Sequence, residues 1–189
     1  MTTTHSCNQE HDFTLLVDGA TTVTREIEDA IFNAGCDDAT IGVRFGRLYL
    51  TFSRESTSIR EAIVSAILAI NGCGAGLRVF RVDVCNFVTQ ADIARKIGRS
   101  RQLVHQYMNG IRGPGGFPPP ACDITDNAPL WYWCEVAYWL WTNDLISEDV
   151  LQEAQQVAIV NSVLELEYQQ QIAPELTRQI MQSLHHCNK

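Results

Sequence analysis

Between Val88 and Met108 the chain reads VTQADIARKIGRSRQLVHQYM, a run that can fold in few ways other than as two short helices around a tight turn. Thr89 is a suitable N-cap, and Asp92 lies three residues on, near the positive end of the helix dipole. Ile93, Ala94 and Ile97 share one helical face, and Gly98, tolerant of positive φ, ends the first helix. Ser100 caps the second. At about 100° per residue, Leu103, Val104, Tyr107 and Met108 gather on its inner side. Arg101, Gln102, His105, Gln106 and Asn109 gather on its outer side, without one acidic group. The competing reading is a helix hairpin in an ordinary core with a solvated polar face.

Charge follows the same boundary. Met1–Cys85 carries 7 Lys/Arg against 11 Asp/Glu, Asn86–Pro120 carries 5 against 1, and Ala121–Lys189 carries 2 against 10. The segments are therefore −4, +4 and −8 in a chain of net charge −8. Phosphate neutralisation supplies most sequence-independent affinity for nucleic acid, so a basic island around a polar helix face suits a DNA-reading element. Arg pairs well with guanine, and Gln or Asn with adenine, in the major groove. The expected base-facing residues are Arg101, Gln102, His105 and Gln106, with Asn109 on the same face. Lys96, Arg99, Ser100 and Arg112 are expected to hold phosphates.

The Gly/Pro-rich stretch GIRGPGGFPPP cannot continue the helix. Two extended pieces are expected next, Ala121–Thr125 and Pro129–Trp133, with a turn at Asp126-Asn127. A helix carrying Val136, Trp139 and Leu140 at core spacing follows. Taken together, this segment resembles the MerR-like winged helix–turn–helix proteins, especially the short excisionase or AlpA-like versions. The matching residues are Gln90, Ile93, Ala94, Gly98, Ser100 and Val104 in the helix pair, and Phe117, Pro118 and Pro120 in the loop. Trp131, Glu135, Val136, Trp139 and Leu140 complete the match, which covers about a quarter of the chain. The chain departs from those relatives in its longer Arg112-Gly-Pro-Gly-Gly loop and its large flanks. The resemblance implies a winged helix that binds double-stranded DNA.

The first part of the chain reads as a separate domain, Asp12–Cys85, behind a flexible tail at 1–11. Strands are expected at Asp12–Asp18, Ala39–Phe45, Arg47–Ser53 and Leu77–Val82, with helices over Val23–Ala34 and from Ser58 to about Ile70. Ile41, Val43 and Phe45 alternate in the second strand, and Leu48, Leu50 and Phe52 in the third, joined by a turn at Gly46. The order β-α-β-β-α-β is the ferredoxin-like or split-βαβ pattern. RNA-recognition domains share it, but they need stacking aromatics and a basic sheet. Tyr49 and Phe52, in a segment of net charge −4, do not provide that.

Beyond the winged helix–turn–helix at 86–143, a helical segment is expected at 144–189. One helix starts at Ser147 with an apolar face of Val150, Leu151, Ala154, Val157, Ala158, Val160, Leu164 and Leu166, and another starts at Pro174. That face can pack onto the rest of the chain or form a dimer interface over Val157–Tyr168. The whole is an α+β protein: a ferredoxin-like domain, a winged helix–turn–helix and C-terminal helices.

No nucleophile–base pair, metal quartet or phosphate-binding loop is evident, so neither catalysis nor a cofactor is expected. Asp18, Glu26, Glu28 and Asp29 read as dipole compensation rather than an ion site. Gly72–Gly76 follows a helix instead of opening one, which argues against a phosphate cradle. His185-His186-Cys187 makes a poor closed metal site. Seven cysteines without a C-x-x-C pair suit a reduced, cytoplasmic protein. The N-terminus lacks a secretory signal, and the apolar run Ala62–Ile70 is too short to span a bilayer. The expected activity is that of a sequence-specific DNA-binding regulator acting as a homodimer. The alternatives are an excisionase-like DNA-bending factor and a winged-helix protein-interaction module with acidic flanks.

Overall fold

The computed structural model describes residues 8–122, 124 and 128–186, without the side chains of His185 and His186. The chain is α+β, with a four-stranded antiparallel sheet and seven helices among the described residues. It divides into two compact units, Met1–Asp83 with Ile159–Lys189, and Val84–Ala158.

The first unit contains β1 (Gln9–Asp18), α1 (Arg25–Asn33), β2 (Ala39–Arg44), β3 (Arg47–Ser56), α2 (Ile59–Gly72) and β4 (Arg78–Val82). The strand order is β2-β3-β1-β4, so each helix bridges two parallel strands with an antiparallel one between them. Thr24 and Ser58 cap the helices, their hydroxyls accepting from the amides of Ile27 and Glu61. The alternating residues of the strands converge: Phe13 faces Phe52, Leu15 faces Leu50 and Val17 faces Leu48, all buried. Ile31 of α1 and Ala62, Ile63, Ala66 and Ile70 of α2 are buried with them. At about 1.5–3 kcal/mol for each large side chain, this face supplies the main stabilisation of the unit.

Several expectations need correction here. β1 begins at Gln9, inside the stretch expected to be a tail, because Gln9, Glu10 and His11 pair with Ser56, Glu55 and Arg54. Polar residues on both faces left no alternation to reveal that pairing. Phe52 does lie in the core with Leu48 and Leu50, as their alternation implies, and stacks on Phe13 with ring centroids 5.0 Å apart, while Tyr49 lies on the opposite face. Phe45 belongs to the turn rather than the strand.

The second unit contains β5 (Phe87–Val88), α3 (Gln90–Lys96), α4 (Arg101–Met108), β6 (Trp131–Tyr132) and α5 (Trp133–Thr142). Helix α6 (Glu148–Ile172) starts in this unit and ends in the first, and α7 (Pro174–His186) belongs to the first. The boundary expected at 143/144 is therefore not where the units divide. Leu151 and Ala154 join the core formed by Ile93, Val104, Val136 and Leu140. The buried stripe of α6 is Leu151, Ala154, Val157, Asn161 and Leu164, which leaves Val150 and Leu166 on the exposed side.

Asn161 is the buried polar member of that stripe, and β4, an edge strand, explains it. Its side-chain oxygen accepts from the Val82 amide at 2.9 Å, and its side-chain nitrogen donates to the Val82 carbonyl at 3.2 Å. An amide side chain thus substitutes for the missing neighbouring strand. No helix among the described residues is long and apolar enough to cross a membrane.

Candidate nucleic-acid interface

Each end of α3 and α4 is closed by its own local chemistry. At the start of α3 the Asp92 amide donates to the Thr89 hydroxyl at 3.2 Å, and the Thr89 amide donates to the Asp92 carboxylate at 3.0 Å. The Thr89 hydroxyl and amide hold the Asp92 carboxyl below its ordinary range, with Arg95, 2.9 Å away, adding to the effect. The single acidic group of the basic island is thereby tied to a helix start.

At the other end of α3, Arg99 N donates to Ala94 O and Gly98 N to Arg95 O, with Gly98 at φ 60°. Helix α4 ends in the same way, through Ile111 N to Gln106 O and Gly110 N to Tyr107 O, with Gly110 at φ 63°. These are paired Schellman closures, and each needs a residue that accepts positive φ. Ser100 caps α4 by accepting from the Leu103 amide at 3.2 Å. The Gln90 side chain donates to the Arg101 carbonyl at 2.8 Å and straps α3 to α4.

Val104 and Tyr107 are buried, and Leu103 and Met108 pack against the same core. That orientation turns Arg101, Gln102, His105 and Asn109 to solvent, with Gln106 half-buried beside them. Lys96, Arg99, Ser100 and Arg112 are exposed as well. Among the described residues Lys96, Arg99, Arg101 and Arg112 take part in no salt bridge. Two of the expected site residues carry other tasks. Asn109 donates to the His105 carbonyl at 2.8 Å and lies 3.2 Å from its Nε2, a C-capping arrangement. Lys96 holds its ammonium 5.0 Å from the centre of the Trp133 ring, a cation–π contact that leaves its charge accessible.

The loop carrying Arg112 is anchored by tryptophans. Trp139 Nε1 donates to the Gly115 carbonyl at 2.8 Å, and Trp131 Nε1 donates to the Pro118 carbonyl at 3.1 Å. Phe117 and Tyr107 pack on Trp139 with ring centroids 5.0 and 5.3 Å away. Gly113 is required there, since a Cβ would lie 3.0 Å from the Tyr107 ring at a φ of 86°. The indole bonds and the Gln90 strap hold the loop and the helix pair, and sequence reading missed them. A Trp spaced to reach a Gly/Pro loop is the only trace they leave in the chain.

The extended pieces beyond the loop are shorter than expected. Cys122 and Leu130 form a single antiparallel bridge, and the strand pairing of Trp131–Tyr132 is with Phe87–Val88. Trp133 opens α5 instead of ending a strand. Asp123, Thr125 and the expected Asp126-Asn127 turn lie outside the described residues, as does Cys187 of the His185-His186-Cys187 tail. No group of three or more His, Cys, Asp or Glu side chains suited to a metal ion occurs among the described residues. Asp18, one of the acidic residues of the first unit, is ion-paired with Arg47. No family model matches the chain, and neither a curated protein nor a solved structure is found to be similar to it.

Proposed function

We propose that the chain is a sequence-specific DNA-binding transcriptional regulator of the winged helix–turn–helix type, acting in the cytoplasm at the nucleoid. In this reading the first unit is a ferredoxin-like split-βαβ domain, as its strand order supports. The observation that carries the proposal is the solvent face of α4. It holds Arg101, Gln102 and His105 with Arg99, Lys96 and Arg112 around them, four cations without a carboxylate partner among the described residues. Arg101, Gln102, His105 and Gln106 read base edges, while Arg99, Ser100, Lys96 and Arg112 hold phosphates. Asn109 stands exposed on the same face and also donates to the His105 carbonyl, which closes the end of α4.

A single recognition helix with a short wing reads few base pairs, so the protein acts as a homodimer on a symmetric site. Ile159, Val163 and Leu166 on α6, and Leu176, Ile180 and Leu184 on α7, are aliphatic, exposed and spaced three or four apart, which suits that role. Selection from a random duplex pool followed by sequencing tests the proposal. One enriched palindrome is expected. Clustered direct repeats would make the protein a DNA-bending factor, and no enrichment would make the helix pair a protein-binding module.

A further inference from the structure

The outer face of the sheet in the first unit is open. Its β2–β3 hairpin closes through Phe45 and Gly46, with Arg44 paired to Arg47. Both turn residues have positive φ, 52° at Phe45 and 75° at Gly46, the condition of a two-residue hairpin turn that favours Asn-Gly. A bulky aromatic residue is disfavoured in that conformation, and backbone strain of this kind collects at binding sites. Phe45 is also 96% exposed, so its ring gains nothing from the core. The Arg44 guanidinium sits 5.3 Å from the ring centre and makes no salt bridge among the described residues.

Behind the hairpin the sheet holds a cleft of about 490 Å³ whose walls include Thr14, Arg44, Phe45, Tyr49, Thr51 and Asp83. Tyr49 is laid along the sheet by Gly42: a Cβ there would come within 2.4 Å of the Tyr49 hydroxyl, so only glycine leaves room for the ring. Thr14 and Thr51 present a pair of hydroxyls 3.1 Å apart. Arg47 is occupied by Asp18 and by the Phe80 ring, which leaves Arg44 as the available cation of the cleft. Asp83 lies beside Thr14, to whose carbonyl its amide donates at 2.8 Å. Four residue steps of β3 separate the Thr51 level from the Arg47 level, about 13 Å along the sheet. The cleft is therefore cationic at the hairpin, aromatic in the middle and rich in hydroxyl and carboxylate groups at its far end.

We infer that this cleft binds a nucleoside phosphate. The base stacks on Tyr49 in the middle of the cleft, and its edge hydrogen-bonds to the Thr14 and Thr51 hydroxyls and to Asp83. The phosphate pairs with Arg44, which the Phe45 ring braces from the turn. The ligand is either a free nucleotide or one nucleotide of a single strand, because both present a planar ring and a phosphate at the same spacing. The inference is independent of duplex recognition by α4.

Calorimetric titration of the full chain with nucleoside monophosphates, the matching nucleosides and a single-stranded octanucleotide tests it. A nucleotide or the octanucleotide should bind saturably, and Phe45→Ala and Arg44→Ala should each weaken that binding by about tenfold or more. For a free-nucleotide ligand, removing the phosphate should weaken binding to the unaltered protein and leave binding to Arg44→Ala unchanged. Phe45→Asn, which relieves the turn, should raise the melting temperature and still bind as poorly as Phe45→Ala. Equal affinity for mononucleotide and octanucleotide would identify a free-nucleotide site, and a clear preference for the octanucleotide a single-strand site. Saturable binding by neither at millimolar concentration, or binding unchanged in both Phe45→Ala and Arg44→Ala, would overturn the inference. Arg101→Ala should lose duplex affinity while keeping nucleotide binding, so failure of either proposal leaves the other standing.

Discussion

Most arginines of the first unit do different work from those of the second. In the first, Arg25, Arg47, Arg54, Arg60 and Arg178 each face a carboxylate. Arg54 is the most embedded: it forks onto Asp38 at 2.6 and 2.8 Å and also donates to the Gly35 carbonyl and the Ser65 hydroxyl. In the second unit only Arg95 has such a partner, and Arg99, Arg101 and Arg112 project into solvent without one among the described residues. A net-charge map registers the sign of each region but not this division. Arg47 and Arg54 join elements of the fold, and Arg25, Arg60 and Arg178 brace their own helices. The arginines around α4 that are unpaired among the described residues are available to an external anion, as Arg44 is at the hairpin of the first unit.

Exchanging the two kinds should break the comparison if it is mistaken. Arg54→Ala should lower unfolding free energy by about 2 kcal/mol, since it removes a charge-assisted fork and leaves Asp38 without its partner in a half-buried site. Arg101→Ala should leave stability within about 0.5 kcal/mol and instead cost about 1–3 kcal/mol of specific duplex binding, with relaxed preference at one base position. Chemical denaturation and duplex titration of both variants measure this. A stability loss in Arg101→Ala equal to that in Arg54→Ala would return α4 to the role of an ordinary structural helix.

A smaller effect sharpens the second half of the comparison. Arg112→Ala should flatten the dependence of log affinity on log salt by about one unit, the expected loss for one phosphate contact. Lys96→Ala should do the same, because its ammonium rests on Trp133 without a carboxylate to neutralise it. Unchanged slopes in both variants would remove them from the phosphate set.

The smallest expected effect concerns the one carboxylate inside the basic island. Thr89 and Arg95 lower the folded-state pKa of Asp92 below its ordinary value of 3.8. Its contribution to stability is accordingly complete above that value and disappears as pH falls through the lower, folded one. Asp92→Asn should lower stability at neutral pH by that contribution and leave the low-pH region nearly unchanged, which flattens the acid limb of the stability–pH curve. Urea denaturation at a series of pH values detects it, and an acid limb identical to that of the unaltered protein would show that the cap does not couple to folding.

Much of the helix pair was legible in the residues because its determinants are local. Thr89, Gly98 and Ser100 act within a few residues of themselves, and the apolar face of α4 repeats at helical spacing. The strands of the first unit were legible for the same reason wherever one face is buried, as in Leu48, Leu50 and Phe52. Asn109 was less legible, since the same side chain that suits adenine also caps a helix, and its bonds to His105 appear only once α4 is formed.

Composition and periodicity alone carried the separation of charge along the chain, the succession of strands and helices, and the polar outer face of α4. They could not carry pairings between residues far apart in sequence, because a side chain's partner depends on how strands and helices dock. The extension of β1 back to Gln9 came from its pairing with the far end of β3. The seating of Asn161 against Val82, 79 residues away, required the edge of a completed sheet. The closing of the Arg112 loop by Trp131 and Trp139, and the room that Gly42 makes for Tyr49, likewise exist only once the elements are packed. Local backbone preference acts over one helical turn or one strand pair, whereas burial and hydrogen-bond satisfaction act across the whole folded unit.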